Sequence, residues 1–171
     1  ASARPGMFLN EGGTPRGFDD AVVGGLSVGV PGLVRMLALA HADAGVLPWA
    51  DLFAPAIALA EQGFPVSARL HQAIAADKHL KTFAVPAAYF YDRAGEPLPE
   101  GALLRNPKLA ATLRSLANDG ADAFYSGPIA AEIARTVSTA KRNPAAMTKA
   151  DLAGYRAVRR QPVCLDYRAR R

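Results

Sequence analysis

Cysteine is almost absent from the chain, since Cys164 is the only one among 171 residues. A single cysteine forms no disulfide within the chain, so cysteine usage gives no indication of the redox compartment. Cys164 lies between Val163 and Leu165 in a stretch that reads as extended. A lone cysteine in that setting is typically a small core residue, and we expect that role rather than a nucleophile.

Long hydrophobic runs are lacking as well. No apolar stretch approaches the roughly 18–20 residues that a membrane-spanning helix needs, and no signal peptide is visible. We therefore expect no membrane partner. Aromatic residues make up only 8% of the chain, whereas 50% of the residues are apolar and alanine is frequent. This composition favours tightly packed helices, and the length suits one domain, residues 1–171, rather than two.

The two ends of the sequence indicate how the chain relates to its gene product. The chain starts with Ala1 instead of methionine, and it stops just after a strand-like segment. We expect both ends to be cuts within a longer gene product.

Positive charge collects near the C-terminus. The chain has 20 Lys and Arg against 15 Asp and Glu, and the last segment carries a basic cluster: Arg156, Arg159, Arg160, Arg168, Arg170 and Arg171. Such an excess can attract an anionic ligand or nucleic acid. Only Tyr155 and Tyr167 are interleaved with these arginines, however, and we interpret the cluster as the solvent face of an edge strand. We expect no nucleic-acid partner.

Helical periodicity dominates the middle of the chain. Residues 1–30 read as loop-rich, 31–155 as helical and 156–171 as extended. Pro31 opens the first predicted helix, which ends near Gly45; its apolar stripe consists of Leu33, Met36, Leu37 and Ala40. The clearest pattern lies between Pro48 and Gly63 and has apolar residues at helical spacing: Trp49, Leu52, Phe53, Ala56, Ile57 and Ala60. Pro55 should kink this helix or split it in two.

Capping residues mark four further helices. They are Ser67, before a helix at residues 68–80; Asn106, before one that reaches Ala117; Gly127-Pro128, at the start of another; and Thr148, which with Asp151 resembles a capping box. Short strands are expected near residues 89–91 and 158–167. The predicted fold class is therefore mainly α with a few short strands.

The stretch "GGLSVGVPG", residues 24–32, contains the pattern G-x-S-x-G around Ser27. This is the pattern of the nucleophile elbow of serine hydrolases, which needs a buried strand before the serine and a helix directly after it. Upstream, Val22 and Val23 make a poor strand, and few other strands are predicted. Ser27, Asp51 and His71 do follow the chain order of a catalytic triad, but short polar residues produce such orders by chance. We interpret the stretch as a tight loop that leads into a helix.

The histidines offer little chemistry. His41, His71 and His79 each lie in a predicted helix, and none has an obvious metal-binding partner, so surface or capping roles are expected. Asp19, Asp20 and Glu61 are expected to be solvated. No glycine-rich loop precedes a strand–helix unit in the way that phosphate binding requires. We predict no metal and no cofactor.

Several longer blocks resemble the large subunit of bacterial γ-glutamyltranspeptidases. That family carries a G-x-P-G step into a helix, here residues 29–32, followed by "G-x-L-P-W-x-x-L-x-x-P-A-I-x-L-A-x-x-G-F", here residues 45–64. The resemblance continues in "LLRNPKLAATLRSLANDGADAFYSGPIAAEIARTV" and "MTKADLAGYRAVRRQPVCLDYR". All blocks follow the family order from Met7 to Arg168, which places the chain in the central and C-terminal part of the large subunit.

The resemblance implies an N-terminal-nucleophile hydrolase with a four-layer αββα sandwich, of which this chain would be the helical portion. In that family the precursor cuts itself, and a threonine at the new N-terminus of the small subunit becomes the nucleophile, with its own α-amino group as the base. The enzyme takes the γ-glutamyl group from glutathione or a related amide and passes it to water, an amino acid or a peptide. The implied partners are the small catalytic subunit and the rest of the large subunit, and the bacterial parent is expected to be periplasmic or secreted.

No catalytic or substrate-binding residue of that family is carried over to this chain. Thr148 lies in a capping position, and Arg4 does not match the arginine of the family's "R-E-x-A-P"-type motif. We therefore expect an inactive scaffold whose exposed apolar surface leads to oligomerisation or marginal stability. The alternatives are a stand-alone helical interaction module, which would be a closed and stable monomer, and a serine hydrolase that uses Ser27.

Overall fold

A computed structural model describes residues 3–165 and 167–168. Helices account for most of the regular structure in these residues. In chain order the elements are α1 (Phe18–Val22), α2 (Leu33–Ala44), a 3₁₀ helix (Trp49–Phe53), α3 (Ala54–Gln62), β1 (Phe64–Pro65), α4 (Ala68–Ala76), a second 3₁₀ helix (Leu80–Thr82), α5 (Ala84–Phe90), β2 (Leu103–Leu104), α6 (Pro107–Asp119), α7 (Asp122–Tyr125), α8 (Gly127–Ser138) and α9 (Lys149–Ala153). The two strands are antiparallel, with Phe64 opposite Leu104.

The predicted capping residues start the predicted helices. The Ser67 hydroxyl accepts the backbone N–H of Leu70 at 3.2 Å, at the start of α4. The side chain of Asn106 accepts the N–H of Leu109 at 2.9 Å, at the start of α6. Thr148 and Asp151 form the expected capping box before α9. Each side chain satisfies an N–H group that the first helical turn leaves without a partner.

The helix predicted between Pro48 and Gly63 is split in two beside Pro55. The sequence predicted either this outcome or a kink. The first part is a 3₁₀ helix, and α3 begins at Ala54 with Pro55 in its first turn. Proline is tolerated there because its missing N–H would have no partner within the helix in any case. The helix expected over residues 68–80 is shorter than predicted and ends at Ala76, since Asp77 leaves the helical conformation.

Both predicted strands are wrong. Residues 84–90 form α5, and only Tyr91 makes an isolated bridge, to Pro97. Pro86 lies in the first turn of α5, where a proline does not break a helix, and this explains why the proline-rich stretch misled the prediction. Residues 156–165 belong to no strand, and Tyr167 makes only an isolated bridge. Asp166 lies outside the described residues.

One buried hydrophobic cluster lies between α7, α8 and α9. It consists of Tyr125, Ala130, Ala134, Val137, Met147 and Leu152. Further buried hydrophobic residues lie in or near α3, α4, β2 and α6: Ala60, Val66, Ile74, Leu104, Ala110 and Leu116. Val30, in the loop before α2, and Val34, in its first turn, pack on the Tyr125 cluster, yet α2 itself contains no buried residue.

Much apolar surface stays exposed. The stripe of α2 points outward, with Leu33 62% exposed and Leu37 46% exposed. Twenty large hydrophobic residues are exposed in the described part of the chain, against 12 buried hydrophobic ones. The exposed apolar surface expected of a scaffold is therefore present. Among the described residues, no helix has the length and apolarity to cross a membrane.

Candidate functional site

The loop at residues 24–32 is pressed against the segment that follows α8. Gly24 has a φ of +118°, and a β-carbon at this position would collide with the backbone carbonyl of Arg142. Gly25 donates its N–H to that carbonyl at 3.2 Å, and a β-carbon on Gly25 would collide with the carbonyl of Val137. The two glycines are therefore required by this close backbone approach.

Ser27 lies exposed on this loop. Its hydroxyl donates a hydrogen bond to the Val22 carbonyl at 2.7 Å. The element before it is the short helix α1, not the strand that a nucleophile elbow requires. The ring of His71 lies 2.9 Å from the carbonyl of Leu98, and no hydrogen bond within the described residues joins Ser27, Asp51 and His71. The structure does not bring this triad together.

A small apolar cavity opens beside Ser27. Its volume is about 200 Å³, and its lining includes Met7, Phe8, Leu26, Val28 and Met147. A charged or basic side chain is absent from the lining residues, so the cavity offers no general base to the serine hydroxyl. It is better suited to an apolar group than to a reacting polar one.

Tyr125 fixes the step from this loop into α2. Its hydroxyl donates to the Pro31 carbonyl at 2.7 Å and accepts the backbone N–H of Arg35 at 3.0 Å. The side chain is 1% exposed. Burial raises the pKa of the Tyr125 hydroxyl, and the hydrogen bond from Arg35 opposes that change only in part. The neutral phenol is thus held in place as both donor and acceptor.

Two side chains complete the environment of Tyr125. The guanidinium of Arg35 lies 4.4 Å from the centroid of the Tyr125 ring and pairs with Asp122. The ring of Tyr155 stacks against Tyr125 with a centroid distance of 6.0 Å, and its hydroxyl fills the space that a β-carbon on Gly32 would occupy. The G-x-P-G step is therefore held in place by three side chains: Tyr125 of α7, Arg35 of α2 and Tyr155, which follows α9.

Sequence reasoning missed Tyr125 and Arg35. Tyr125 is separated by 94 residues from the carbonyl it binds, and no local spacing indicates such a contact. The block "DAFYSG" carries the family resemblance, but its local spacing does not indicate a contact with Pro31.

The three histidines contact backbone carbonyls or a carboxylate. A ring nitrogen of His41 lies 2.8 Å from the Leu47 carbonyl, and the ring packs edge-on to Trp49. The Nε2 atom of His79 lies 3.3 Å from a carboxylate oxygen of Asp19. Within residues 3–165 and 167–168, no group of three His, Cys, Asp or Glu side chains is placed to hold a metal ion.

The acidic residues that were expected to be solvated are exposed but paired. Asp20 accepts a hydrogen bond from Arg142 at 2.9 Å, and Glu61 pairs with Arg114. These contacts connect separate parts of the chain.

The C-terminal basic cluster is partly neutralised. Arg159 binds Asp43 at 2.6 Å, and Arg156 donates to the Ala153 carbonyl at 2.7 Å. Arg170 and Arg171 lie outside the described residues. Cys164 is exposed, so the expectation of a core cysteine was wrong; the flanking Val163 and Leu165 are exposed as well, and this segment packs on no core in the described part of the chain.

Within the described residues the chain is mainly helical, exposes much apolar surface and does not join Ser27, Asp51 and His71 by hydrogen bonds. The family model for gamma-glutamyltranspeptidase matches residues 1–171. The chain belongs to the γ-glutamyltranspeptidase family.

Relatives and solved structures agree with this assignment. The chain is 36% identical to the glutathione hydrolase proenzyme of Bacillus subtilis strain 168 over 167 residues, which cover 98% of this chain and 28% of that protein. It is also 36% identical over 176 residues to the glutathione hydrolase proenzyme of Escherichia coli K12, with the same coverage. The crystal structure of Helicobacter pylori gamma-glutamyltranspeptidase superposes with a TM-score of 0.90 at 30% identity, over 99% of this chain and 48% of that one.

These matches confirm the resemblance and the fold class. The chain spans about 28% of the length of the curated relatives that it matches. The mainly helical architecture with two short strands corresponds to part of a solved γ-glutamyltranspeptidase.

Proposed function

We propose that this chain is a helical scaffold within an enzyme that transfers or hydrolyses the γ-glutamyl group of glutathione and related amides. The nucleophile of that enzyme would be an N-terminal threonine that does not belong to this chain. The observation that carries the proposal is the match of the γ-glutamyltranspeptidase family model to residues 1–171. The partners would be the small catalytic subunit and the remainder of the large subunit, in a periplasmic or secreted parent.

The distribution of apolar surface supports a scaffold role. The outward stripe of α2 has the spacing of a helix face that packs on another layer. It lies exposed in this chain, and exposed apolar patches of this kind mark surfaces that pack against other protein. An outer helical layer of a sandwich would use such a face against the adjoining sheet.

The state of Ser27 supports the expectation that the chain is inactive alone. Its hydroxyl already donates to a carbonyl, and a serine needs a neighbouring base to act as a nucleophile at neutral pH. No such base contacts it among the described residues.

The test is release of chromophore from a γ-glutamyl anilide by the purified chain. We expect no release above the blank, with the B. subtilis glutathione hydrolase as the positive control. Product formation that survives Ser27→Ala would contradict the scaffold proposal. Product formation that is lost in Ser27→Ala would instead establish the serine hydrolase alternative.

The second candidate is a stand-alone helical interaction module. It predicts a closed, stable monomer with a soluble surface. Sedimentation analysis distinguishes the scaffold from the module, because a scaffold is expected to form oligomers or to be marginally stable when isolated. A monomer with a cooperative unfolding transition at all concentrations would favour the module.

A further inference from the structure

The N-terminal strap, residues 8–28, lies on the helical body, residues 30–155, with little apolar burial of its own. Gly25 is the one buried residue of the strap, and α1, which forms its middle, contains none. A segment with few buried apolar contacts opens locally at low free-energy cost. The position of the strap therefore depends largely on its polar contacts with the body.

The strap has hydrogen bonds of its own that do not involve the body. The backbone N–H of Arg16 donates to the Phe8 carbonyl at 2.9 Å, and the Ser27 hydroxyl donates to the Val22 carbonyl at 2.7 Å. Because both partners of each bond lie in the strap, these bonds are kept when the strap leaves the body. The strap is therefore expected to move as one unit.

The side chain of Asn143 joins the strap to the body. Its amide nitrogen donates to the carbonyl of Asp20 at 2.6 Å and to that of Val23 at 3.0 Å. These carbonyls lie at the C-terminal end of α1, where a helix leaves its last carbonyl groups without partners. The amide oxygen of Asn143 accepts a hydrogen bond from the Arg16 guanidinium at 3.3 Å. One side chain, 120 residues from Val23 in sequence, thus binds both flanks of α1.

The turn that carries Asn143 is shaped for this contact. Asn143 has a φ of +44°, a conformation that asparagine adopts more readily than most other residues with a side chain. The preceding carbonyl, that of Arg142, accepts the N–H of Gly25 at 3.2 Å. The turn therefore meets the strap through both backbone and side-chain groups.

The ion pairs between strap and body are less protected than the Asn143 contacts. Asp20 binds Arg142 at 2.9 Å, and Asp19 lies 3.3 Å from His79, with both aspartates mostly exposed. Exposed ion pairs contribute little because solvent screens them. The bond from Asn143 to Val23 is partly buried, and a buried acceptor that loses its donor is costly. Asn143 is therefore the contact on which the strap depends most.

The strap also forms part of the wall of the apolar cavity beside Ser27. Phe8 and Leu26 line this cavity from the strap, and Met147 lines it from the body. Met147 is 5% exposed. Departure of the strap would remove these walls and give solvent access to the Met147 thioether.

We infer that Asn143 is the clasp of the strap: without its amide, residues 8–28 detach as one unit and open the cavity, while the helical body stays folded. The clasp consists of contacts within this chain, so it is independent of the proposed enzymatic role. Loss of two hydrogen bonds of ordinary strength should increase the opening of the strap by about 5- to 30-fold.

Hydrogen exchange of a peptide covering residues 16–25, followed by mass spectrometry, tests the clasp in two variants. Asn143→Gly removes the amide without straining the turn, since glycine adopts positive φ freely. Asn143→Asp keeps an acceptor for Arg16 but loses both donors. We expect about 5- to 30-fold greater opening of residues 16–25 in each variant. A peptide from α6 monitors global unfolding and should be much less affected.

Lys141→Ala is the matched control. The side chain of Lys141 is exposed near the same turn and makes no hydrogen bond to the strap in the part of the chain that the structure describes. This variant should exchange like the wild type. Exchange of residues 16–25 that is unchanged in both Asn143 variants, or equal acceleration in the α6 peptide, would overturn the inference.

Oxidation of Met147 by hydrogen peroxide provides an independent measurement. Peroxide transfers one oxygen atom to the thioether and leaves as water, and a buried thioether reacts only when it becomes accessible. Met36, which is 47% exposed, is the internal reference. Relative to Met36, Met147 should oxidise faster in Asn143→Gly than in Lys141→Ala. Equal relative rates in the two variants would overturn the inference that the strap closes the cavity.

Discussion

Replacing Tyr125 by phenylalanine removes one hydroxyl from the centre of the molecule. The hydroxyl makes two hydrogen bonds, to the Pro31 carbonyl and from the Arg35 N–H. The aromatic ring stays, so its stacking on Tyr155 and its contact with the Arg35 guanidinium are retained. The change therefore isolates the two hydrogen bonds at the start of α2.

The loss of stability expected for Tyr125→Phe follows from the burial of its hydroxyl. Each hydrogen bond contributes about 1 kcal/mol, and a buried donor or acceptor left without a partner costs about 1–3 kcal/mol. Tyr125 itself is 1% exposed, although Pro31 and Arg35 are only partly buried. We expect Tyr125→Phe to lower the free energy of unfolding by about 2–3 kcal/mol.

Urea unfolding followed by far-ultraviolet circular dichroism measures this loss. The midpoint should fall while the dependence of the free energy on urea stays the same, because the surface exposed on unfolding does not change. Tyr155→Phe is the matched control: its ring stacks on Tyr125, and no hydrogen bond of its hydroxyl is found in the described part of the chain. It should cost less than about 0.5 kcal/mol. A loss in Tyr125→Phe no larger than that in Tyr155→Phe would refute the reasoning.

Three further substitutions test other parts of the chain. Gly25→Ala forces a β-carbon into a carbonyl of α8 and should cost about 2 kcal/mol or more in urea unfolding, whereas Gly29→Ala, which meets open space, should be nearly neutral. Backbone hydrogen bonds, that of Leu80 foremost, hold the pKa of Asp77 below its usual range. Its stabilising effect is present above its unfolded pKa and is lost as the pH falls through the lower folded pKa. Asp77→Ala should cost about 1 kcal/mol near neutral pH, and the difference from wild type should vanish in strong acid. Leu37→Glu should reduce binding of a hydrophobic dye without loss of helicity; a large loss of helicity would show that the stripe is buried.

Local capping chemistry could be predicted from the sequence because it depends on neighbours in the chain. Ser67, Asn106 and Thr148 each bond to an N–H three residues ahead, and the residue types alone indicate this geometry. The helix break at Pro55 follows from its missing N–H in the same way.

The wrong predictions concern residues whose conformation depends on contacts with distant parts of the chain. The aromatic run around Tyr89 favours a strand and the nearby prolines argue against a helix, but Pro86 falls in the first turn and permits α5. The stretch around Val163 reads as extended, but a strand requires pairing with a neighbour, and residues 156–165 form no strand. The hydrogen bond of the Tyr125 hydroxyl was not predicted for the same reason, since the Pro31 carbonyl lies 94 residues away in sequence.

The helix α2 shows how the candidate site and the proposed function are connected. Its start is fixed by the Tyr125 hydroxyl and by the pair between Arg35 and Asp122, while only Val34 turns toward the buried cluster. The C-terminal half is held by His41 on the Leu47 carbonyl and by Asp43 on Arg159, so these contacts do not use the exposed apolar stripe. An amphipathic stripe contributes to stability only when it is covered. A helix that is held by contacts at its two ends and leaves its stripe uncovered is suited to pack on a further layer, which is the role that the proposed scaffold assigns to it.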